Sequence, residues 1–471
     1  MSSQNNDILS LSRETFESSS IHGIPNIIKN KFVSIKILWC FCLMVSFGGC
    51  AWFMIKSIND YLKDDVVTSF RVNYMNELTF PVIGICNLNF FNKQSANDLV
   101  RQKMGDKPDM IAVFPLRFLA LDLFKGNKSV IDLSPNDVII KCVYSTENCN
   151  NTNDFEIYYD YQYGACLRYN SGINMKGDKV KQKTVFASGS SYGLEIELFV
   201  GDIDENNNMF SIEHGFNIFI QNQSDFDSFS LEGVKISPGT STRIILSKNS
   251  WKKEPKPYSD CIINLISKDS YPSETYKDSF SPNKTYSYFN CWKTCQTNFI
   301  KNICNCTIQD AKKNLRSCYS DDNYFFQDLA CTKMAFKQFP TNPIYLKECD
   351  CPIECSNTYY TYTTSYSQFP TLKYSSYLLE TDLIRTKYPD ITYEEMKKSV
   401  ARVQIFYDEM KEIVIEESVK TEMSDLISNL GGLLGLFLGI SFLSLIEFVE
   451  VFLQALFVSG KNKNHETALK K

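Results

Sequence analysis

The chain has 471 residues and a formal net charge of −5, with 49 basic side chains against 54 acidic ones. That near-neutral, slightly acidic balance excludes the basic footprint expected of a nucleic-acid binder. The average composition is unremarkable, but it hides two strongly apolar runs near the ends of the chain.

Residues 1–31 are polar and read as a cytosolic tail, with His22-Gly23 near its end. A lone histidine is ordinarily solvated, and physics alone assigns it no role. The first apolar run, Ile37 to Ile55, is uncharged and carries Trp39, Phe41, Met44, Phe47 and Trp52. About thirty polar residues precede it and no small-residue cleavage site follows, so it reads as a transmembrane helix over 32–56 and not as a signal peptide.

Residues 57–423 contain no further spanning run. Fourteen of the 17 cysteines lie there: Cys86, Cys142, Cys149, Cys166, Cys261, Cys291, Cys295, Cys304, Cys306, Cys318, Cys331, Cys349, Cys351 and Cys355. An even number at this density implies an oxidising compartment and a disulfide framework, whose pairing the residues alone leave open among roughly a hundred thousand possibilities. Cys40, Cys42 and Cys50 fall in the first apolar run and read as free thiols. There is no C-x-x-C pair and no histidine among the clusters, so no zinc site and no other metal site is expected. N-x-[ST] sequons at Asn127, Asn150, Asn222, Asn283 and Asn305 agree with an extracellular face and are candidate glycosylation sites. Arg13, Lys29, Lys31 and Lys36 precede the first run, and Lys461, Lys463, Lys470 and Lys471 follow the second. The positive-inside rule then puts both termini in the cytoplasm and the large loop outside.

Within that loop, Thr79 to Ile85 is a β-branched, apolar strand ending at Cys86. Residues 90–140 alternate helical patches with turns. Strands are expected at Gly193 to Val200, Phe216 to Gln221 and Thr242 to Leu246, with a turn at Ser237-Pro-Gly-Thr240. Residues 286–355 read as short helices stapled by cysteines. Val403 to Tyr407 and Ile413 to Ile415 read as two further strands. The fold class is therefore α+β, a membrane protein whose two transmembrane helices flank a disulfide-rich extracellular domain. Gly189-Ser-Ser-Tyr-Gly193 matches G-x-S-x-G, but that nucleophile pattern needs a strand-turn-helix and a partner histidine. The loop's one histidine, His214, has no cue placing it nearby, so no enzyme activity is expected.

The second apolar run, Leu426 to Ile446, belongs to a transmembrane segment expected over 424–454, with a cytosolic tail at 455–471. Gly431, Gly435 and Gly439 recur every four residues, beside a parallel small stripe of Ser424, Ser428 and Gly432. Such a stripe is either a helix-packing face or a pore wall. Glu447 and Glu450 favour the pore, because in a symmetric oligomer each becomes a ring of negative charge that selects cations. Gly439-Ile440-Ser441 is a candidate constriction, with carbonyl and hydroxyl oxygens to replace water around an ion.

Taken together, these residues resemble the degenerin/epithelial sodium channel family over nearly the whole chain. Ser20-Ile-His-Gly-Ile-Pro25 resembles its N-terminal His-Gly gating motif, and Phe80-Pro-Val-Ile-Gly-Ile-Cys-Asn-Leu-Asn89 its segment after the first helix. Asn429-Leu-Gly-Gly432, Gly439-Ile-Ser441 and Glu447 resemble its pore helix and G-x-S selectivity step. The spacings C-x3-C-x8-C-x-C and C-x-C-x3-C also agree.

The resemblance implies a homo- or heterotrimer in the plasma membrane, each subunit with a β-sheet palm and a helical thumb and finger. It implies the pairs Cys86–Cys166, Cys142–Cys149, Cys261–Cys355, Cys291–Cys351, Cys295–Cys349, Cys304–Cys331 and Cys306–Cys318. Ser428, Asn429, Gly431, Gly432, Gly435, Glu447 and Glu450 would line the pore or gate. Amiloride-type block is expected near Asn429 and Gly432, and bulk at Ser428 is expected to hold the channel open. Tyr258 sits where relatives carry a tryptophan coupling thumb to membrane. No cofactor is implied, the permeant ion being sodium. Ser20 to Pro25 and Ile236 to Thr240 most resemble the RFamide peptide-gated branch, so an extracellular neuropeptide is the expected ligand. A proton-gated or constitutively open channel and a non-conducting accessory or receptor subunit are the alternatives. Against proton gating, Asp64 to Thr68 lacks histidine, and Cys331 to Cys349 holds three lysines and one acid, Glu348.

Overall fold

The computed structural model describes residues 23–88, 134–160, 163–201, 213–222, 233–280, 285–308, 316, 318, 325–341, 343–444, 446 and 449–450. In chain order the elements are α1 (Ile24–Lys29), α2 (Val33–Tyr61), β1 (Val66–Tyr74), β2 (Leu78–Thr79), β3 (Val82–Asn87), α3 (Pro135–Val138), β4 (Ile139–Tyr144), β5 (Glu147–Asn148), β6 (Phe155–Asp160), β7 (Gly164–Tyr169), β8 (Thr184–Val185) and β9 (Leu194–Phe199). They continue with β10 (Phe216–Gln221), β11 (Val234–Ile236), β12 (Thr240–Lys252), α4 (Glu274–Asp278), α5 (Tyr288–Cys304), α6 (Phe325–Gln338), α7 (Pro343–Glu348), β13 (Ser356–Gln368), α8 (Leu372–Leu379), α9 (Asp382–Lys387), α10 (Tyr393–Ser399), β14 (Val400–Val419) and α11 (Met423–Leu438). The chain divides into two compact units, one of Met1–Val67 with Glu417–Lys471, the other of Thr68–Glu416.

In the first unit, the uncharged run expected over 32–56 becomes α2, which extends further, to Tyr61. Its 29 residues at 1.5 Å each reach about 43 Å, more than the roughly 30 Å hydrocarbon core of a bilayer. It is the one helix among the described residues long and apolar enough to cross. Its side chains face outward, Phe41 being 61% and Trp52 71% exposed, as suits an apolar solvent. Helix α11 packs along it. Phe437 stacks on Phe53 with ring centroids 5.8 Å apart, and the Cys50 thiol donates to the Leu433 carbonyl at 3.9 Å. Phe437 also lies against Gly49, where an added Cβ would come within 3.1 Å of its ring.

The second unit is built on two large sheets, and β2 and β8 pair in a third of two strands. Seven strands form one, in the order β13-β12-β14-β9-β4-β5 with β1 also paired to β14. The other has the order β11-β10-β3-β7-β6. The β12–β14 pair is parallel, and its register slips between Leu246 and Lys248. The two strands expected at 403–407 and 413–415 are thus one strand, since pairing to β12 resumes beyond the irregularity. The apolar faces of the sheets, including Ile83, Ile85, Ile196, Leu198, Phe216, Ile218, Ile244, Val403 and Ile405, meet in one core. Aromatic side chains with polar tips close it: Tyr407 Oη donates to the Thr79 carbonyl at 2.7 Å and Tyr144 Oη to the Thr184 carbonyl at 2.9 Å. Helices α8–α10 carry a smaller cluster, Leu378, Leu383, Ile384 and Met396, that packs on Phe199 and Val400.

The cysteine-dense stretch forms α5, α6 and α7. Disulfides join Cys261–Cys355, Cys291–Cys351, Cys295–Cys349, Cys304–Cys331 and Cys306–Cys318, while Cys86–Cys166 staples β3 to β7 within one sheet and Cys142–Cys149 closes the β4–β5 hairpin of the other. These are the seven pairs that the family resemblance implies. Cys40, Cys42 and Cys50 are free.

Candidate functional site

Helix α11 carries the glycine and serine stripe. Its packing contacts to α2 come from Leu433 and Phe437, not from the stripe. A Cβ built on Gly431 or Gly432 meets nothing within 4 Å, and on Gly435 only the Ile440 carbonyl at 3.9 Å. Ser428 and Asn429 are exposed alongside them. Among the described residues the small-residue face is therefore unused, although small residues are what close helix packing employs.

The apolar run is not one continuous helix over 424–454. It stops at Leu438, and Gly439 takes a left-handed cap with φ +68°. The Gly439 amide donates to the Gly435 carbonyl at 3.0 Å and the Ile440 amide to the Leu434 carbonyl at 3.3 Å. Glycine adopts this conformation at low cost, and it ends the helical ladder. Ser441 then starts a new helical piece. The Ser441 amide donates to Ser444 Oγ at 3.1 Å and the Ser444 amide to Ser441 Oγ at 3.3 Å, a reciprocal cap. The Gly439-Ile440-Ser441 step thus lies at a break in the helix, inside the uncharged run Leu426 to Ile446. Glu450 is exposed. Glu447 lies outside the described residues, as does His22.

Gly23 is buried, with φ +95°, at the start of α1. A Cβ there would come within 3.2 Å of Leu43 and 3.3 Å of Trp39 on α2, so both the backbone angle and the space call for glycine.

A second constellation lies on the outer face of the larger sheet. Lys141, Glu197 and Arg402 stand in register on β4, β9 and β14, with Glu195, Gln404 and Arg243 in the next row across β9, β14 and β12. Arg402 pairs with Glu195 at 2.7 Å, and Gln404 Nε2 donates to the same carboxylate at 2.7 Å. Burial alone would raise the Glu195 pKa, but these donors outweigh it and hold the group below its ordinary range. Glu197 is 1% exposed and accepts from Tyr374 Oη of α8 at 2.8 Å, with Arg402 Nε 3.9 Å away. Its desolvation dominates and lifts its pKa.

Further along β14, Glu412 accepts from Ser250 and lies 3.4 Å from Lys248. Glu416 is 3.8 Å from Lys252 and 4.0 Å from Arg71. His214 is half-buried, and burial holds its pKa below the usual value.

Residues 15–451 match the family model described as amiloride-sensitive sodium channel. The chain belongs to that family. Among similar members, the bile acid-sensitive ion channel of Mus musculus is 22% identical over 92% of this chain and 86% of its own length. Acid-sensing ion channel 1 of Gallus gallus is 24% identical over 95% of this chain and 86% of its own. A solved proton-activated chloride channel overlays 89% of this chain and 98% of its own, but with a TM-score of 0.28 at 8% identity, too low to indicate shared architecture. The amiloride-sensitive sodium channel family consists of ion channels, and the disulfide-rich α+β unit described above belongs to one of its members. The family is shown and the RFamide-gated branch is not, so the expected branch rests on the likeness of two short motifs.

In this family member Tyr258 is half-buried in the loop between β12 and Cys261, its amide donating to the Pro255 carbonyl at 3.0 Å. Of the sequons, Asn305 is exposed at the left-handed C-cap of α5. Asn150 Oδ1 accepts from the amides of Thr152 and Asn153, holding a tight turn. Asn222 borders a polar cleft of about 160 Å³ with Glu354 and Ser356; Asn127 and Asn283 lie outside the described residues. Gly189 to Gly193 leads through a short 3-10 turn into strand β9, so the strand-turn-helix required of a nucleophile is absent. Among the described residues no cluster is fit to hold a metal ion.

Glu197 escaped the sequence reading. The signal was there in Leu194-Glu-Ile-Glu-Leu198, where a period of two puts both glutamates on one face. The eye goes instead to the apolar partners, and nothing local says that α8 returns to bury that face.

Proposed function

We propose that this chain is one subunit of a trimeric, amiloride-sensitive, sodium-selective channel of the plasma membrane. Both termini lie in the cytoplasm and the disulfide-rich unit lies outside. The domain limits are 1–31, 32–56, 57–423, 424–454 and 455–471. Three α11 segments surround the ion path with Ser428, Asn429, Gly431, Gly432 and Gly435 turned towards it. Gly439, Ile440 and Ser441 select the ion. Glu447 and Glu450 concentrate cations beyond them, and His22-Gly23 acts in gating. The observation that carries this reading is the small-residue face of α11, uncovered among the described residues and ending at the Gly439 break, in a chain of this family. A face made of glycine and serine that the chain's own helix does not cover suits a narrow axis shared between copies.

The stimulus is read as extracellular. A peptide remains the reading of the Ser20–Pro25 and Ile236–Thr240 motifs. Protons are at least as well supported, because acid-sensing channels are among the relatives and the outer sheet face holds a buried carboxylate. The test is expression in oocytes, alone and with sister subunits, of wild type and of a Ser428→Phe variant. Standing amiloride-sensitive sodium current in the variant is expected. A variant that reaches the surface and carries no cation current in any subunit combination would overturn the channel reading. Acid steps and a peptide panel on the wild type then separate the two stimuli.

A further inference from the structure

Glu197 is held where a carboxylate has reason to take up a proton. It is 1% exposed, and its Oε2 has no hydrogen-bond partner among the described residues. Its other oxygen has one, the Tyr374 hydroxyl. Arg402 is committed to Glu195 at 2.7 Å and leaves its Nε 3.9 Å from Glu197, beyond hydrogen-bond reach, with that N–H also unpartnered among the described residues. A buried carboxylate with one donor and an offset cation loses more on desolvation than it regains.

The groups facing it come from every element packed there. From β9 comes Glu195, from β4 Lys141, from β14 Arg402 and the neutral Gln404, and from β12 Arg243, which reaches Gln404 Oε1 at 3.1 Å. From α8 come Tyr374 and Tyr377, with ring centroids 5.5 Å apart. Lys141 lies 3.9 Å from Glu195 and draws on Glu197 as well, while Arg243 is exposed; desolvation of Glu197 outweighs the pull of Lys141 and Arg402 together.

We propose that Glu197 is a proton-binding site whose occupancy sets the tie between helix α8 and the central sheet. Ionised, it holds the Tyr374 hydroxyl as an acceptor and draws on Arg402. Protonated, it no longer attracts either strongly, and Arg402 falls to Glu195 alone. The helices α8–α10 carry an apolar cluster that packs on the end of the same sheet, so the change at Tyr374 bears on how that layer is held. The site itself does not depend on the channel reading; any effect on opening does.

The direction of the effect follows from burial raising the Glu197 pKa on folding. Its stabilisation is fully present below the unfolded glutamate range and is lost as pH rises through the higher folded value. The test is thermal unfolding of the full-length chain in detergent as a function of pH, for wild type and Glu197→Gln. At neutral pH the variant, neutral and of the same shape, is expected to melt about 1–3 °C higher. The gap should close as pH falls towards the usual glutamate range. Parallel curves, or a variant that melts lower at neutral pH, overturn the proposal. Should Glu197→Gln fail to reach the membrane, Tyr374→Phe serves. Loss of the one donor should move the pH midpoint upward, and an unmoved midpoint overturns the proposal. Neither measurement needs a current, so silence in oocytes would defeat the channel reading while leaving this one standing.

Discussion

Single positions show where a side chain has no room or no substitute. Gly193 opens β9 against β14, and a Cβ there would lie 2.7 Å from Phe406 Cβ and press on the Ile405 carbonyl. Backbone cannot give way as a flexible side chain can, so Gly193→Ala is expected to cost about 1–3 kcal/mol, read as a lower melting temperature and reduced surface delivery. Ser441 offers a different kind of test. Its hydroxyl and that of Ser444 cap each other's amides at the break after α11. Ser441→Ala removes one of those acceptors at the proposed selectivity step, and sodium-to-potassium permeability should shift while surface delivery holds. Unchanged ratios with normal delivery would remove Ser441 from the filter. Both glycine and serine stood out in the sequence at Gly439-Ile440-Ser441, but the need for glycine at 193 did not, because the strand it touches lies more than two hundred residues away.

Elements fail at their ends and at their staples. Helix α10 begins with a capping box in which the Thr392 amide donates to Glu395 Oε2 at 2.8 Å and the Glu395 amide to Thr392 Oγ1 at 3.4 Å. Thr392→Ala should cost about 1 kcal/mol, seen as a lower melting temperature. The hydrogen bonds from Thr392 hold the Glu395 pKa below its usual value, so this cap is intact above the unfolded glutamate range and loosens as pH falls through the depressed value. Acid therefore acts on Glu395 and on Glu197 with opposite sign, and comparing the Thr392→Ala and Glu197→Gln pH profiles separates them. The α5–α7 region relies on covalent ties. Removing Cys295–Cys349 by a double alanine substitution opens a link of sequence separation 54. It should cost about 2–4 kcal/mol and lower surface delivery. The cysteine spacing was readable along the chain, and the family likeness picked one pairing. The long β14 was less readable, since its middle breaks register with β12 and so looks like two strands.

At the scale of the molecule, the proposed assembly predicts the mass of three chains for the detergent-purified protein, by light scattering or after cross-linking. A monomer that still conducts would contradict a shared axis. Much of the plan was legible along the chain. Runs of apolar residues must leave water wherever they fold, and fourteen cysteines must pair in an oxidising space, so two apolar segments around a disulfide-rich α+β unit could be expected from composition and spacing. Folding was needed for what depends on distant partners. Phe437 and Leu433, and not the glycines, meet the first helix; Gly439 ends a helix whose hydropathy runs on past it. The burial of Glu197 likewise waits on Tyr374, brought over it by a helix 177 residues further on. Desolvation and steric exclusion are properties of the packed neighbourhood, and a chain read in order carries only half of each contact.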